Sequence, residues 1–226
     1  ERAPCHRIGP TPHDYYIPFS TNPRIGQTGD ATQYIEYDVW GQFYGMGLFP
    51  VGIDEDMKIR LKECKEKGAS GAYFRSDLET TRESSCYNSL NMVNQYAAAM
   101  LTKDLNTDLD DIYKAWINDG VVKTLLPGSF NQIPVRPTAP DAWKRFRDFM
   151  HASWKVMEKT HYVRGHVFLV NGKIPLNMWE ADGMMITIHG REDWDPGSDK
   201  LIEPTEENIR VIMREKEDAL DKVQEL

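Results

Sequence analysis

Two carboxylates stand two positions apart in the acidic and aromatic segment 33–40, and they are the side chains best suited to chemistry. Alternation along a β-strand predicts that Glu36 and Asp38 leave the same face, with Cα atoms roughly 7 Å apart. Carboxyl groups about 5 to 10 Å apart carry out the acid–base steps of glycoside hydrolysis, although the partners normally come from different strands. The other interpretation is that this face is simply exposed to water.

Flat aromatic side chains bracket the two acids. Tyr34 and Trp40 alternate onto the face of Glu36, and Gln42 and Tyr44 follow in a loop punctuated by glycines. A sugar ring stacks its C–H patches on aromatic faces while its hydroxyls form hydrogen bonds with polar groups. The pattern favours a carbohydrate cleft in which Trp40, Gln42 and Tyr44 contact the substrate.

A cation and a further acid end the next predicted strand, at Arg75 and Asp77. Arginine holds a carboxylate or phosphate with two parallel hydrogen bonds, so a cation beside acids suits an anionic sugar such as a uronic acid. Asp77 is then an alternative to Asp38 as the partner of Glu36. An internal ion pair between Arg75 and Asp77 is the other interpretation.

Three more polar residues are candidates for substrate contact. His13 and Asp14 form a pair in a Pro-rich loop, where a role in the turn is the alternative. Asn91 lies early in the helix after the Arg75 strand, where hydrogen bonding inside the fold explains it equally well. Cys5 and His6 add no recognisable metal-ligand spacing, and we expect neither metal nor other cofactor.

Composition excludes several classes of function. The net charge is −8, and the densest basic run, within 58–67, alternates with glutamates, so a nucleic-acid partner is not expected. No apolar run approaches the roughly 20 residues of a membrane helix, so no membrane partner is expected. The chain lacks a Gly-x-Ser-x-Gly elbow, a Gly-x-x-x-x-Gly-Lys phosphate loop and a His-Glu-x-x-His zinc helix.

The elements that would position these residues alternate between strand and helix. After the strand at 33–40, apolar spacing predicts a helix over 54–67 ended by Gly68, a strand over 71–77 and a helix over 87–101. This order implies a parallel α/β sheet, whose chemistry gathers at the carboxyl ends of its strands. Helices follow at 110–118 and 140–162, and a last one opens at the N-cap Thr205.

The segments 35–45, 68–77, 91–96 and 108–116 together resemble the C-terminal barrel half and helical tail of alpha-glucuronidase-like glycoside hydrolases and uncharacterised bacterial relatives. The resemblance covers roughly residues 10–120. It implies that 1–126 form the C-terminal part of a (β/α)8 barrel and 127–226 a mainly helical tail. It also implies cofactor-free hydrolysis in polysaccharide degradation, with Glu36 as the first residue to carry over. Relatives often have a second acid where this chain has Gln42.

A whole barrel of this kind takes about 250 residues, so we expect a missing N-terminal half on the same or a separate chain. A signal upstream of it would make the protein periplasmic or secreted. The expected partner is a carbohydrate, and homo-oligomerisation is left open. Two other functions remain: a non-catalytic glycan-binding or assembly module derived from such an enzyme, and an unrelated metal-dependent α/β hydrolase.

Overall fold

The protein mixes helices and strands, and helices predominate. The structure is a computed structural model that describes residues 6–8, 24–27, 29–39, 49–76, 89–121, 139–160, 162–164, 166–167, 196–197 and 199–226. Its main elements in chain order are β1 (His6–Ile8), β2 (Gln33–Asp38), α1 (Asp54–Glu66), β3 (Gly71–Arg75), α2 (Met92–Lys103), α3 (Leu109–Ile117), α4 (Ala142–Thr160), β4 (Tyr162–Val163), β5 (His166–Val167) and α5 (Glu206–Glu225).

The first three strands form a parallel sheet in the order β1-β2-β3. In its register Ile35 lies beside Ile8 on one side and beside Ala72 on the other. The predicted parallel arrangement is confirmed for β2 and β3, and β1 adds a parallel strand that the sequence pattern did not predict. Three parallel strands in chain order occur in several α/β architectures, so the half of a (β/α)8 barrel stays a prediction.

Helix α1 forms where the sequence predicts it. Three acidic residues in its first turn interact favourably with the positive end of the helix dipole. Met57, Leu61 and Cys64 share the buried face of the helix. The helix ends before Gly68, whose φ of +106° is a backbone conformation that glycine adopts without strain. This buried face packs on the apolar face of β2, which carries Ile35 and Tyr37, and on Val39 just after the strand.

The helix predicted over 87–101 begins later, since α2 starts at Met92. Val93 and Ala97 are buried as predicted, whereas Leu90 lies before the helix and is largely exposed. Residues 77–88 lie outside the described part of the chain. Asn91 occupies the N-cap position of α2. Its side chain does not cap the helix and instead hydrogen-bonds with the backbone of Phe49 and Val51.

Capping side chains begin two of the later helices. The Asp108 carboxylate accepts a hydrogen bond from the Asp110 backbone N–H at the start of α3, and the Thr205 hydroxyl accepts one from the Asn208 backbone N–H at the start of α5. The described part of 127–226 consists of α4, α5, the short β4–β5 hairpin and a 3₁₀ turn. Trp154 and Met157 of α4 join the same core as β2 and α1, and the domain boundary at 126 stays a prediction.

Candidate functional site

The sheet has a second face, opposite its helix-packed core, and we call the residues Tyr34, Glu36, Gly71, Tyr73 and Arg75 the polar face. Strand alternation separates them from Ile35, Tyr37, Ala72 and Phe74, which pack in the core. The Tyr34 and Tyr73 rings lie 5.4 Å apart between centroids. Tyr34 also covers Gly71, since a Cβ there would lie 2.7 Å from the Tyr34 ring.

Glu36 is the buried member of the polar face. Its exposed fraction is 5%, whereas Tyr73, its register partner on β3, is 54% exposed. Buried carboxyl groups are uncommon and occur at functional sites as well as in structural networks. The face therefore joins a sheltered carboxyl group to an accessible aromatic ring.

Arg75 lies where β2 and β3 end together. The Val39 backbone N–H donates to the Arg75 carbonyl at 2.9 Å, and Asp38 is the register partner of Arg75. The arginine is half-buried. The sequence prediction that the ends of these two strands meet is confirmed, and Glu36 and Arg75 approach the same carboxyl edge.

Most of the other predicted site residues cannot be placed on this face. The side chain of Asp38 lies outside what the structure describes, and so do the residues Asp77, His13, Asp14, Trp40, Gln42 and Tyr44. The carboxyl-to-carboxyl distance between Glu36 and either proposed partner thus stays a prediction. Glu36 and Arg75 are the predicted site residues that the structure brings to one face.

Asn91 has an internal role. It is fully buried, its amide oxygen accepts from the Val51 backbone N–H at 2.7 Å, and its amide nitrogen donates to the Phe49 carbonyl at 2.7 Å. Asn94, one turn later, donates to the Val51 carbonyl at 2.8 Å and accepts from the Ile53 backbone N–H. Of the two interpretations of Asn91, the structure supports hydrogen bonding inside the fold, so its expected contact with substrate is corrected.

A buried polar cluster of Asp54, Tyr113 and His151 has no counterpart in the sequence predictions. The Asp54 carboxylate accepts from the Tyr113 hydroxyl at 2.8 Å and lies 2.9 Å from His151 Nε2. The side chains of Asp54 and His151 are 1% and 20% exposed. Glu55 is 3.7 Å from the other ring nitrogen of His151. The cluster joins the first turn of α1 to α3 and α4.

The Asp54–Tyr113–His151 cluster shifts two pKa values. Burial raises the pKa of the Tyr113 hydroxyl far above its usual range, and the Asp54 charge adds to the effect. Burial alone would lower the pKa of His151, but the hydrogen bond and charge of Asp54, with the charge of Glu55, outweigh it and raise that pKa. Both effects favour a neutral tyrosine and a protonated histidine around one carboxylate.

A second carboxylate ties β2 to α1. The Tyr37 hydroxyl donates to Asp56 at 2.8 Å, and Arg60 Nε donates to the same oxygen at 2.9 Å. Arg60 is almost completely buried. The Asp54 and Asp56 clusters both lie on the helix side of the sheet, so they hold the helices and β2 together and do not belong to the polar face.

His151 should make stability depend on pH. Because its folded pKa is raised, its contribution is fully present below the unfolded value near 6.5 and is lost as pH rises through the folded pKa. We expect the free energy of unfolding, measured by urea titration, to fall as the pH rises above about 6.5. His151→Gln should remove most of that fall, and equal pH dependence in both proteins would contradict the assignment.

No family model, curated protein or solved structure matches this chain. Within the described residues, no three His, Cys, Asp or Glu side chains are grouped to hold a metal ion. None of the described helices has the length and apolar character needed to span a bilayer.

Proposed function

We propose that this chain supplies one wall of a glycan cleft in a glycoside-hydrolase-type protein acting on a uronic-acid-containing or related polysaccharide. The observation that carries the proposal is the polar face itself. Neighbouring parallel strands present the sheltered carboxyl group of Glu36, the paired rings of Tyr34 and Tyr73 and the guanidinium-bearing Arg75. These are the chemical groups that bind and cleave an acidic sugar.

Each side chain has a distinct role in this proposal. Tyr73, being accessible, would stack against the C–H patch of a sugar ring. Arg75 would hold the uronate carboxylate with paired hydrogen bonds. Glu36 would act as general acid or base, with its partner carboxyl group supplied by Asp38, by Asp77 or by another part of the protein.

The sheet order supports a barrel context for this wall. Three parallel strands follow in chain order, and α1, between β2 and β3, packs on the face opposite Glu36. Successive strands of a (β/α)8 barrel have this relation, with helices outside and the catalytic groups at the carboxyl ends of the strands. The remaining strands would belong to the proposed N-terminal half.

A non-catalytic glycan-binding or assembly module is the second candidate function. The sequence favours it at one position: this chain has Gln42 where the relatives that it resembles often have a second acid. Hydrolysis by acid–base catalysis requires two carboxyl groups. A face with aromatic rings and an arginine can bind an acidic glycan without cleaving it.

Glu36→Gln in the complete protein tests the enzymatic proposal. We expect hydrolysis of uronic-acid-containing oligosaccharides to fall by about 10²- to 10⁴-fold, because the amide cannot transfer the proton. Glu66→Gln, at an exposed position of α1, is the matched control and should leave the rate unchanged. Rates measured on both variants, with oligosaccharide binding followed by calorimetry, provide the readout.

The same measurements separate the two functions. Unchanged hydrolysis in Glu36→Gln would exclude Glu36 as the acid or base. Binding without hydrolysis in the unaltered complete protein would establish the module. If uronic-acid and neutral oligosaccharides bound equally well, the assignment of Arg75 to the uronate would be wrong.

A further inference from the structure

Helix α5 exposes an apolar stripe that its own fold does not cover in the described part of the chain. We define the stripe as Ile209, Met213, Leu220 and Val223, which are 48%, 57%, 60% and 49% exposed. A different face of the helix, marked by the buried Asn208 and Ala219, packs against α4. Single exposed apolar residues are ordinary, but four large ones in a row indicate an interaction surface.

The spacing of the stripe is that of a helix–helix seam. Its members are separated by four, seven and three residues, so they keep the heptad positions along which two helices pack. The helix has 20 residues and is therefore about 30 Å long. A stripe of this length fits another helix lying along it.

The stripe is nearly symmetric about its middle, between positions 216 and 217. When a second copy of α5 is laid alongside in the opposite direction, Ile209 faces Val223 and Met213 faces Leu220. Every apolar side chain then meets an apolar side chain of the other copy. A second copy of the chain is therefore an occupant whose shape the stripe matches.

The charges beside the stripe select the antiparallel direction. Arg210, which also forms an ion pair with Glu206 at 3.1 Å, and Arg214 are in the first half of α5. Glu217 and Asp221 are in the second half. Antiparallel pairing brings Arg210 near Asp221 of the second copy and Arg214 near its Glu217. Parallel pairing would bring like charges together, which is unfavourable.

Lys216 lies between Met213 and Leu220 on the same side of α5, but its ammonium group is directed away from the stripe. Its Nζ donates to the backbone carbonyls of Lys159 and Tyr162, at the end of α4 and just after it. An ion pair of 2.8 Å between Lys159 and Asp218 also holds α5 against α4. The helix is thus already ordered, and its association would require little further ordering.

We infer that α5 is a self-association surface at which two copies of the chain dock antiparallel through the stripe. A single helix pair forms a small interface, so a weak reversible dimer is expected. This inference is independent of the proposed glycan cleft.

Sedimentation of the 226-residue chain over about a hundredfold range of concentration tests the inference, since a weak dimer must follow mass action. We expect a concentration-dependent monomer–dimer equilibrium. The double variant Arg210→Glu/Arg214→Glu and the double variant Glu217→Arg/Asp221→Arg should each weaken dimerisation by about tenfold or more, because every flanking pair becomes repulsive. An equimolar mixture of the two should restore dimers, since each flanking pair is again of opposite charge.

Glu207→Arg/Glu225→Arg is the matched control for the second variant. It makes the same change in net charge at exposed positions away from the stripe, and it should dimerise like the unaltered chain. Circular dichroism would verify that every variant keeps its helices. A chain that stays monomeric throughout, a mixture that does not recover, or a control that dimerises as poorly as the charge reversals would each overturn the inference.

Discussion

Replacing Asp54 by Ala should lower the free energy of unfolding by about 3–5 kcal/mol, the range for breaking a buried charged pair. The substitution leaves the Tyr113 hydroxyl, which is fully buried, without the acceptor that it uses at 2.8 Å. It also removes the carboxylate that faces His151 Nε2 at 2.9 Å. The loss is large because water cannot fully replace a carboxylate that is only 1% exposed.

Urea unfolding at neutral pH measures this effect, and Glu55 offers a matched control one residue away. Glu55→Ala removes a carboxylate that is 49% exposed and 3.7 Å from the same histidine, so we expect a loss of at most about 1 kcal/mol. Asp54→Asn should fall between the two, because the amide oxygen can still accept from Tyr113. Equal losses for Asp54→Ala and Glu55→Ala would show that the cluster does not stabilise the fold.

Asn91→Asp should also be strongly destabilising, by about 2–4 kcal/mol. The substitution preserves the shape of the side chain but replaces the amide N–H₂, which donates to the Phe49 carbonyl at 2.7 Å, with an acceptor oxygen. Two acceptors would then face each other in a fully buried site. A negative charge would add the unfavourable free energy of burying an ion.

The control for Asn91→Asp is Asn106→Asp, the same chemical change at an exposed position between α2 and α3. It should change the free energy of unfolding by less than about 0.5 kcal/mol. Thermal or urea unfolding of both variants gives the comparison. If Asn91→Asp instead left stability intact and weakened only glycan binding, the substrate role first expected for Asn91 would be restored.

Asp54→Ala and Asn91→Asp both test how the end of the segment between β2 and α1 is held in place. The side chains of Asn91 and Asn94 form hydrogen bonds with the backbone of residues 49–53. The Gly52 backbone N–H also donates to the Met150 carbonyl at 2.9 Å. Asp54 then anchors the first turn of the helix to α3 and α4. The connection follows the carboxyl end of β2, so its anchoring bears on the rim of the proposed cleft.

Local patterns were enough to predict several elements. The spacing of Met57, Leu61 and Cys64 before Gly68 predicted α1, and Thr205 predicted the start of α5. These signals are local because a helix end or an amphipathic face is encoded within a few turns of the chain. The alternation in β2 likewise predicted that Glu36 and Ile35 lie on opposite faces, and the structure buries Ile35 in the core beside α1.

Partners far apart in the chain could not be predicted in the same way. Asp54 and His151 are separated by 97 residues, and each residue alone is compatible with an ordinary surface position. Asn91 had two equally good interpretations, because an amide can hydrogen-bond a substrate or a backbone. The choice depended on the segment 49–53 lying against α2, which is a property of the tertiary fold.

The sequence by itself determined which side chains share a face: Glu36 with Tyr34 on β2, and Ile209 with Met213, Leu220 and Val223 on α5. The spacing at which side chains return to the same face is fixed by the geometry of a helix or a strand, so shared faces can be predicted from local sequence. Only the tertiary structure decided which face is covered. The helices pack on the Ile35 face of β2, whereas on the opposite face Glu36 is buried and Tyr73 is accessible. Helix α4 packs beside the stripe of α5 and leaves the stripe exposed. Burial depends on where distant elements pack, because the free energy of covering apolar surface depends on area and not on sequence neighbourhood.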